Sequence, residues 1–360
     1  VLGPGWCILG NGELAVRNPY PYSFLLVLAL FTGGCGGGLQ LNLVDAAHRR
    51  PSNVAVFFSV ETTDGEPVAD LVATDFKIYE DDVLVSVDES RQTIVSPEIV
   101  AEHYALLLVD MSASVTESDK IPAVVQAVSD FVDEVGRYQR LGVYAFDGSA
   151  KLHEIMPFTP SERENATREG IARLGEFRAK DPSTNLYGAV VQAVKELDRA
   201  IKRSRAPQQF GTLVVFTDGT DHAARVSFEK MVAQLDQTEH ATFAIGVGNE
   251  IDDATLQQIG RDRYIRVEDK NALSAAFQQI GSRIVDLTRR YYLLSYCSPA
   301  RAGKHEVKIE VVSDKASGVL GYSFDAKGFT PGCDPGKPPP FSPTRSVRKK
   351  RRKELKASAP

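Results

Sequence analysis

The stretch Tyr104–Ser114, YALLLVDMSAS, decides the fold. Tyr104 to Val109 is an unbroken apolar run. A strand with one wet face alternates apolar and polar residues, so a continuous run marks a strand buried on both faces. The run stops at Asp110. Directly past it, Asp110-Met111-Ser112-Ala113-Ser114 offers one carboxylate and two hydroxyls. In open α/β sheets, ligands bind outside the carboxyl ends of strands. The sequence therefore sets these three oxygen-bearing side chains in a candidate binding crevice.

Working outward, Leu141–Phe146, Thr212–Phe216 and Thr242–Val247 repeat the same kind of run. Helical periods lie between them, over Ile121–Val135, Ser161–Leu174, Leu186–Lys202, Phe228–Leu235 and Ala272–Leu287. Regular alternation of strand and helix predicts a doubly wound, mostly parallel sheet wrapped by helices.

Two further pieces fall at matching places. Ser183-Thr184-Asn185-Leu186 opens a long helix, where an N-cap is the plain explanation for Thr184. The run Leu213–Phe216 leads into Thr217-Asp218-Gly219, where an Asp-Gly turn would explain Asp218. Each has an ordinary reading alone. Taken in this order and at these strand ends, the set resembles the metal-ion-dependent adhesion site of the von Willebrand factor type A family. The resemblance spans about Ala101 to Leu287. It implies that Asp110, Ser112, Ser114, Thr184 and Asp218 hold a divalent cation. All five donors are oxygens, which suits Mg²⁺, Mn²⁺ or Ca²⁺ and not zinc. With only two carboxylates among them, the ion would stay electrophilic and accept an acidic side chain from a protein partner.

The flanks read as β structure. Val54, Val56, Phe58 and Val60 alternate as in a strand with one buried face. Phe76, Ile78, then Val83, Val85 and Val87 give further strands, and Tyr291–Tyr296, Glu306–Val312 and Gly318–Ser323 follow the α/β part. Neither flank alone is large enough for a core. The expectation is a small antiparallel β-sandwich built from both flanks, with the α/β domain inserted. The competing arrangement adds Tyr291–Tyr296 to the central sheet and leaves the rest a loose hairpin. Val68–Asp82 is also similar to the segment preceding the A domain in a bacterial group of von Willebrand factor A-related proteins. That group has Asp-Phe and then Tyr-Glu-Asp-Gly; Asp75-Phe76 and Tyr79-Glu80-Asp81 match, and Asp82 stands where the group has Gly.

The N-terminal segment reads as an export signal. Phe24–Phe31 is an apolar run of eight residues, too short to span a bilayer and long enough for a signal-peptide core. It ends in Thr32-Gly33-Gly34-Cys35, which resembles the lipobox of bacterial lipoproteins, with Thr32 departing from the usual aliphatic residue. That resemblance implies lipidation of Cys35 and a bacterial envelope location. A plain signal peptide followed by a Gly-rich linker is the alternative. No Met precedes Met111, so Val1 is either an alternative start or part of a longer chain, and Cys7 is set aside. Cys297 and Cys333 remain, either bridged in an oxidising compartment or as two separate thiols.

The formal net charge of −5 is unevenly spread, because Asp334 to Pro360 holds nine Lys or Arg against two acids. The rest of the chain is strongly acidic, which argues against nucleic acid as a partner. The expected organisation is a targeting segment over 1–35, a linker over 36–52 and a sandwich part over 53–100. The α/β domain follows over 101–289, then completing strands over 290–333 and a disordered Pro-rich, basic tail over 334–360. The expected function is metal-dependent protein binding, not enzymatic turnover. Two competitors are a structural subunit that does not use the metal and a Mg²⁺-dependent phosphoryl-transfer enzyme. The latter lacks, in sequence, a lysine at the end of Thr242–Val247 and an evident general base. His222 lies near Asp218, but as a loop residue it reads as exposed.

Overall fold

The computed structural model describes residues 38–159, 164–313 and 316–341. Cys35 and the basic run Arg348–Lys353 lie outside the described residues, and so do the expectations attached to them. The chain opens with β1 (Leu39–Arg49), β2 (Asn53–Thr62), β3 (Phe76–Glu80), β4 (Val83–Leu84), the single-turn helix α1 (Val87–Ser90) and β5 (Thr93–Val95). Then come β6 (Ala101–Asp110), α2 (Ala113–Thr116), α3 (Ile121–Val135), β7 (Arg140–Phe146), β8 (His153–Thr159) and α4 (Glu164–Gly175). After these follow α5 (Leu186–Lys202), β9 (Gln208–Thr217), α6 (Phe228–Gln237), β10 (Ala241–Val247), α7 (Asp253–Ile259), β11 (Arg263–Val267) and α8 (Leu273–Arg289). The last three strands are β12 (Tyr291–Cys297), β13 (Lys304–Val312) and β14 (Ser317–Asp325).

The central sheet runs in the order β11-β10-β9-β6-β7-β8. Its pairs are parallel except for β8, which lies antiparallel on β7. From β6 the chain moves outward through β7 to β8, then crosses back to β9 and moves outward the other way. The order therefore reverses between β6 and β9. Both faces of β6 are buried because helices cover both. Ala105, Leu107 and Val109 share a core with Phe131 of α3 and Phe277 of α8. Leu106 and Leu108 pack with Val190 and Leu197 of α5. That double covering is the physical reason the run Tyr104–Val109 shows no alternation.

The remaining strands form two four-stranded sheets, β1-β2-β12-β5 and β14-β13-β3-β4. Each needs both flanks. β12 pairs with β2, Leu294 opposite Val56, and β13 pairs with β3, Ile309 opposite Ile78. The chain leaves this sandwich after β5 and re-enters it at β12, so the α/β domain is an insertion. Val54, Val56, Phe58, Ile78, Leu294 and Ile309 fill the space between the sheets.

Where one buried face was expected for β2, it has two. Ala55 and Phe57, on its outer face, join Val100, Ala101, Tyr291, Leu293 and Phe341 in a second cluster, with Phe210 of β9 against it. The inserted domain's lower end covers the sheet's back. Here His103 stacks on Phe210 at 4.8 Å between ring centroids, and Phe210 lies 4.5 Å from Tyr291. Burial, and then the nearby Arg290 charge, push His103 down to about 3, so the imidazole in this stack is neutral at ordinary pH.

Four expectations need correction. Val85 and Val87 do not continue a strand, since β4 ends at Leu84 and Val87 opens α1. Residues 39–49 are not linker: β1 pairs along β2 from Leu39–Thr62 to Arg49–Asn53. Leu39, Leu41 and Leu43 alternate with Gln40 and Asn42, the period of a strand with one buried face, a signal the sequence reading left unused. The tail does not leave the fold at Asp334. Asn53 Nδ2 donates to the carbonyls of Asp334, 2.7 Å, and Lys337, 3.1 Å, and the Phe341 side chain is buried. The central sheet is also wider than the sequence reading, with β8 and β11 added at its two edges, and α7 is an added helix. The two remaining cysteines, Cys297 and Cys333, form a disulfide with Cα atoms 5.8 Å apart. Asp82 sits at φ +65°, a conformation Gly adopts freely and Asp tolerates, so the turn survives the replacement.

Candidate metal centre

The order reverses between β6 and β9, the place where an open α/β sheet can form a crevice at its carboxyl ends, and the sheet register decides which side chains stand there. Val109 lies opposite Phe216, so Asp110 and Thr217 come next on adjacent strands. The Thr217 hydroxyl donates to Asp110 Oδ2 at 2.7 Å, and the Ser112 backbone N–H donates to Oδ1 at 3.0 Å. Asp110 has no exposed surface.

Ser112 occupies the N-cap position of α2, yet its side chain caps nothing. Its hydroxyl instead lies 3.1 Å from that of Ser114. The Ser114 hydroxyl in turn donates to Asp218 Oδ1 at 2.7 Å. Serine at an N-cap ordinarily accepts from the first turn; releasing both hydroxyls toward the crevice is a choice made elsewhere in the structure. Asp218 does not form the turn that its Asp-Gly sequence suggests. Thr217 serves there, with the Gly219 backbone N–H donating to its hydroxyl at 3.2 Å. The Asp218 carboxylate faces inward and its other oxygen, Oδ2, accepts from Lys120 Nζ at 2.5 Å.

Thr184 is not the N-cap of α5, because Asn185 holds that position. Thr184 sits one residue earlier, buried, in a loop stitched to both of the others. Ala113 N–H donates to Pro182 O at 3.1 Å, and His222 N–H donates to Thr184 O at 2.9 Å. The structure thus brings the loops carrying Asp110, Ser112 and Ser114, Thr184, and Asp218 to one end of the sheet. Asp147 anchors this arrangement from β7. It accepts from the backbone N–H of Ser149 and of Lys180, both at 2.8 Å. Burial works against its charge, but these hydrogen bonds prevail and hold its carboxyl below the usual range. A side chain on Gly148 would meet Asp181 Oδ1 and Ser183 Oγ at 2.3 Å, so those side chains would have to move to admit it.

Electrostatically the crevice is under tension. Burial first, and then the negative charge of Asp218, push Asp110 up to about 7, against the hydrogen bonds from Ser112 and Thr217. Two carboxylates buried this close resist being charged together. A divalent cation would relieve both the burial and the repulsion, and the hydroxyls of Ser112, Ser114 and Thr184 supply neutral oxygens beside it. The donor chemistry therefore fits a hard divalent ion. His222 is exposed, 2.6 Å from Glu250 Oε1, at the rim of the Asp218 loop.

Sequence reasoning missed Lys120 and Asp147. Nothing in the spacing ties Lys120 to Asp218, 98 residues away. Asp147 had a signal that went unused, since it follows a buried strand end as Asp110 does.

A doubly wound sheet with buried oxygen donors at its switch point defines an α/β ligand-binding domain whose chemistry lies in its loops. Residues 106–279 match the family model of the von Willebrand factor type A domain, and this part of the chain belongs to that family. Domains of the family are in general interaction modules rather than enzymes. A comparison with curated proteins returned no match. Among solved structures, the chain is similar to a von Willebrand factor type A protein from Catenulispora acidiphila, at 11% identity and TM-score 0.46, covering 83% of this chain and 76% of that one. It is also similar to proximal thread matrix protein 1 of the mussel byssus, at 16% identity and TM-score 0.43, over 51% of this chain and 48% of that one. A third is manganese-loaded Plasmodium vivax TRAP protein, at 15% identity and TM-score 0.42, over 67% of this chain and 98% of that one. The chain spans about half the length of the mussel protein.

Proposed function

We propose that this chain is a metal-dependent protein-binding module. Asp110, Ser112, Ser114, Thr184 and Asp218 would hold Mg²⁺, Mn²⁺ or Ca²⁺. The ion, when bound, supplies an open electrophilic position that an acidic side chain of a protein partner can fill. Asp110 and Asp218 provide the charge, the three hydroxyls provide neutral donors, and the stitched loops keep all five aligned. The observation that carries this reading is an oxygen-only constellation at the switch point of an open sheet, buried except for Ser114, with two mutually repelling carboxylates. Asp110→Ala and Asp218→Ala are expected to abolish Mg²⁺-dependent capture of the native partner while the circular dichroism spectrum stays that of the wild type. Capture by either variant at wild-type affinity sinks the reading.

One observation speaks for phosphoryl transfer: Lys120 supplies a cation beside the carboxylates. The burial of Asp110 and Asp218 speaks against it more strongly, since neither carboxylate is accessible for attack. Acetyl phosphate with Mg²⁺ separates the two, because a stable aspartyl phosphate would reverse the ranking.

We further infer that the protein is exported and lipid-anchored in a bacterial envelope through Cys35. The Cys297–Cys333 disulfide supports export, since such bonds persist in oxidising compartments. Among the described residues no helix is long and apolar enough to cross a membrane. Cys35→Ser is expected to release the protein from the membrane fraction; a wild-type protein found wholly in the cytosol would overturn the assignment.

A further inference from the structure

We propose that Lys120 sets the balance between cation affinity and acidic-ligand affinity at the Asp110–Asp218 site; this rests on the metal-binding reading above. Lys120 Nζ lies 2.5 Å from Asp218 Oδ2, and the Asp218 side chain is fully buried while that of Lys120 is 31% exposed. The Ser114 hydroxyl holds the other oxygen. Both oxygens of Asp218 are thus engaged within the chain.

The ammonium reaches in from a fixed anchor. The Lys120 backbone N–H donates to Ser118 Oγ at 3.3 Å, and its carbonyl accepts from Val124 N–H at 3.0 Å in the first turn of α3. Its neighbour Asp119 pairs with Lys270, just ahead of α8. Arg225 pairs with Asp181, and His222 faces Glu250.

Two consequences follow from charge alone. A divalent ion on Asp218 meets the ammonium on the same carboxylate, and the two cations repel. Lys120 therefore weakens cation binding. In the loaded site, the two carboxylates balance the ion, and the ammonium leaves one positive charge in excess. Lys120 therefore strengthens the attraction for an incoming carboxylate. The two effects have opposite signs. A lysine that merely braced the loop would move both affinities in the same direction when replaced.

The test uses the full chain as wild type, Lys120→Gln, Lys120→Arg and Asp218→Ala. Mn²⁺ binding is measured by calorimetry. Coordination of acetate to bound Mn²⁺ is read from the loss of water-proton relaxation enhancement. Lys120→Gln is expected to bind Mn²⁺ roughly ten-fold tighter and to need roughly several-fold more acetate. Lys120→Arg keeps the charge and should track the wild type in both. Mn²⁺ affinity in Lys120→Gln that is unchanged or weaker, or shifts of both affinities in the same direction, would overturn the proposal. Asp218→Ala keeps the failures apart. If it binds Mn²⁺ as the wild type does, the metal-site reading itself falls. If it loses Mn²⁺ while Lys120→Gln matches the wild type in both measurements, only the role of Lys120 falls.

Discussion

The two ends of the central sheet are built on opposite principles. At the upper end, past β6 and β9, polar side chains are buried: Asp110, Ser112, Thr184, Thr217 and Asp218. At the lower end, Ala101, Val100 and Phe210 meet Phe57, Tyr291 and Leu293 of the sandwich in an apolar and aromatic seam. Burying carboxylates costs stability, whereas burying rings contributes it. The lower seam anchors the inserted domain, and the upper crevice holds buried charge. A protein that spent both ends on packing would be more stable.

The comparison can be broken at the seam first, where the effect is largest. Phe57 is fully buried and 5.6 Å from Tyr291 in a stacked arrangement. Phe57→Ala should lower stability by about 3–5 kcal/mol in urea denaturation. A change under about 1 kcal/mol would mean that the seam is not the anchor described here.

A smaller loss is expected from the disulfide, which closes a loop of 36 residues at the rim of the same sandwich. Its removal in a Cys297→Ser, Cys333→Ser double variant should cost about 2–4 kcal/mol. The same Mn²⁺ affinity should remain, since the bridge lies in the sandwich. A parallel loss of Mn²⁺ binding would show that the two ends are coupled.

The upper end should respond with the opposite sign. Asp110→Asn removes a buried carboxylate but keeps its shape, and the Thr217 hydroxyl can turn to donate to Gly219 O, 3.0 Å away. The folded pKa of Asp110 is raised to about 7 from 3.8, so the stability it contributes when protonated is present below pH 3.8 and is lost as pH rises through about 7. In chelator, the Asn variant should therefore match the wild type in acid and gain on it toward pH 8. Thermal melts across that range decide it; a variant less stable than the wild type at pH 8 would contradict the picture of strain in the crevice.

Much of this architecture could be read along the chain, and the limits have physical causes. The helices Ile121–Val135 and Leu186–Lys202 have the predicted bounds, because strong amphipathic periods leave little choice of register. β1 does carry a local signal, the alternation of Leu39, Leu41 and Leu43 with polar residues, but it directly follows the glycine run and reads with it as linker. β8 escaped notice because it is an edge strand containing Pro157, which weakens any strand signal. The five candidate residues could be picked out along the chain because each lies at a recognisable strand end or helix start, and the structure brings their loops to one end of the sheet. Lys120 could not, because its meaning depends wholly on which carboxylate it meets.

The sequence by itself determined the alternation of strands and helices, the order of the oxygen-bearing loops and the β character of both flanks. These depend on local periodicity and on residue chemistry, which a single chain displays directly. Only the tertiary structure decided that β13 pairs with β3 and β12 with β2, that Phe341 covers the back of the sandwich, and that Asp218 answers to Lys120. Those facts join residues far apart in the chain. They are set by which faces bury the most apolar surface together and by which charges are left facing each other once they do.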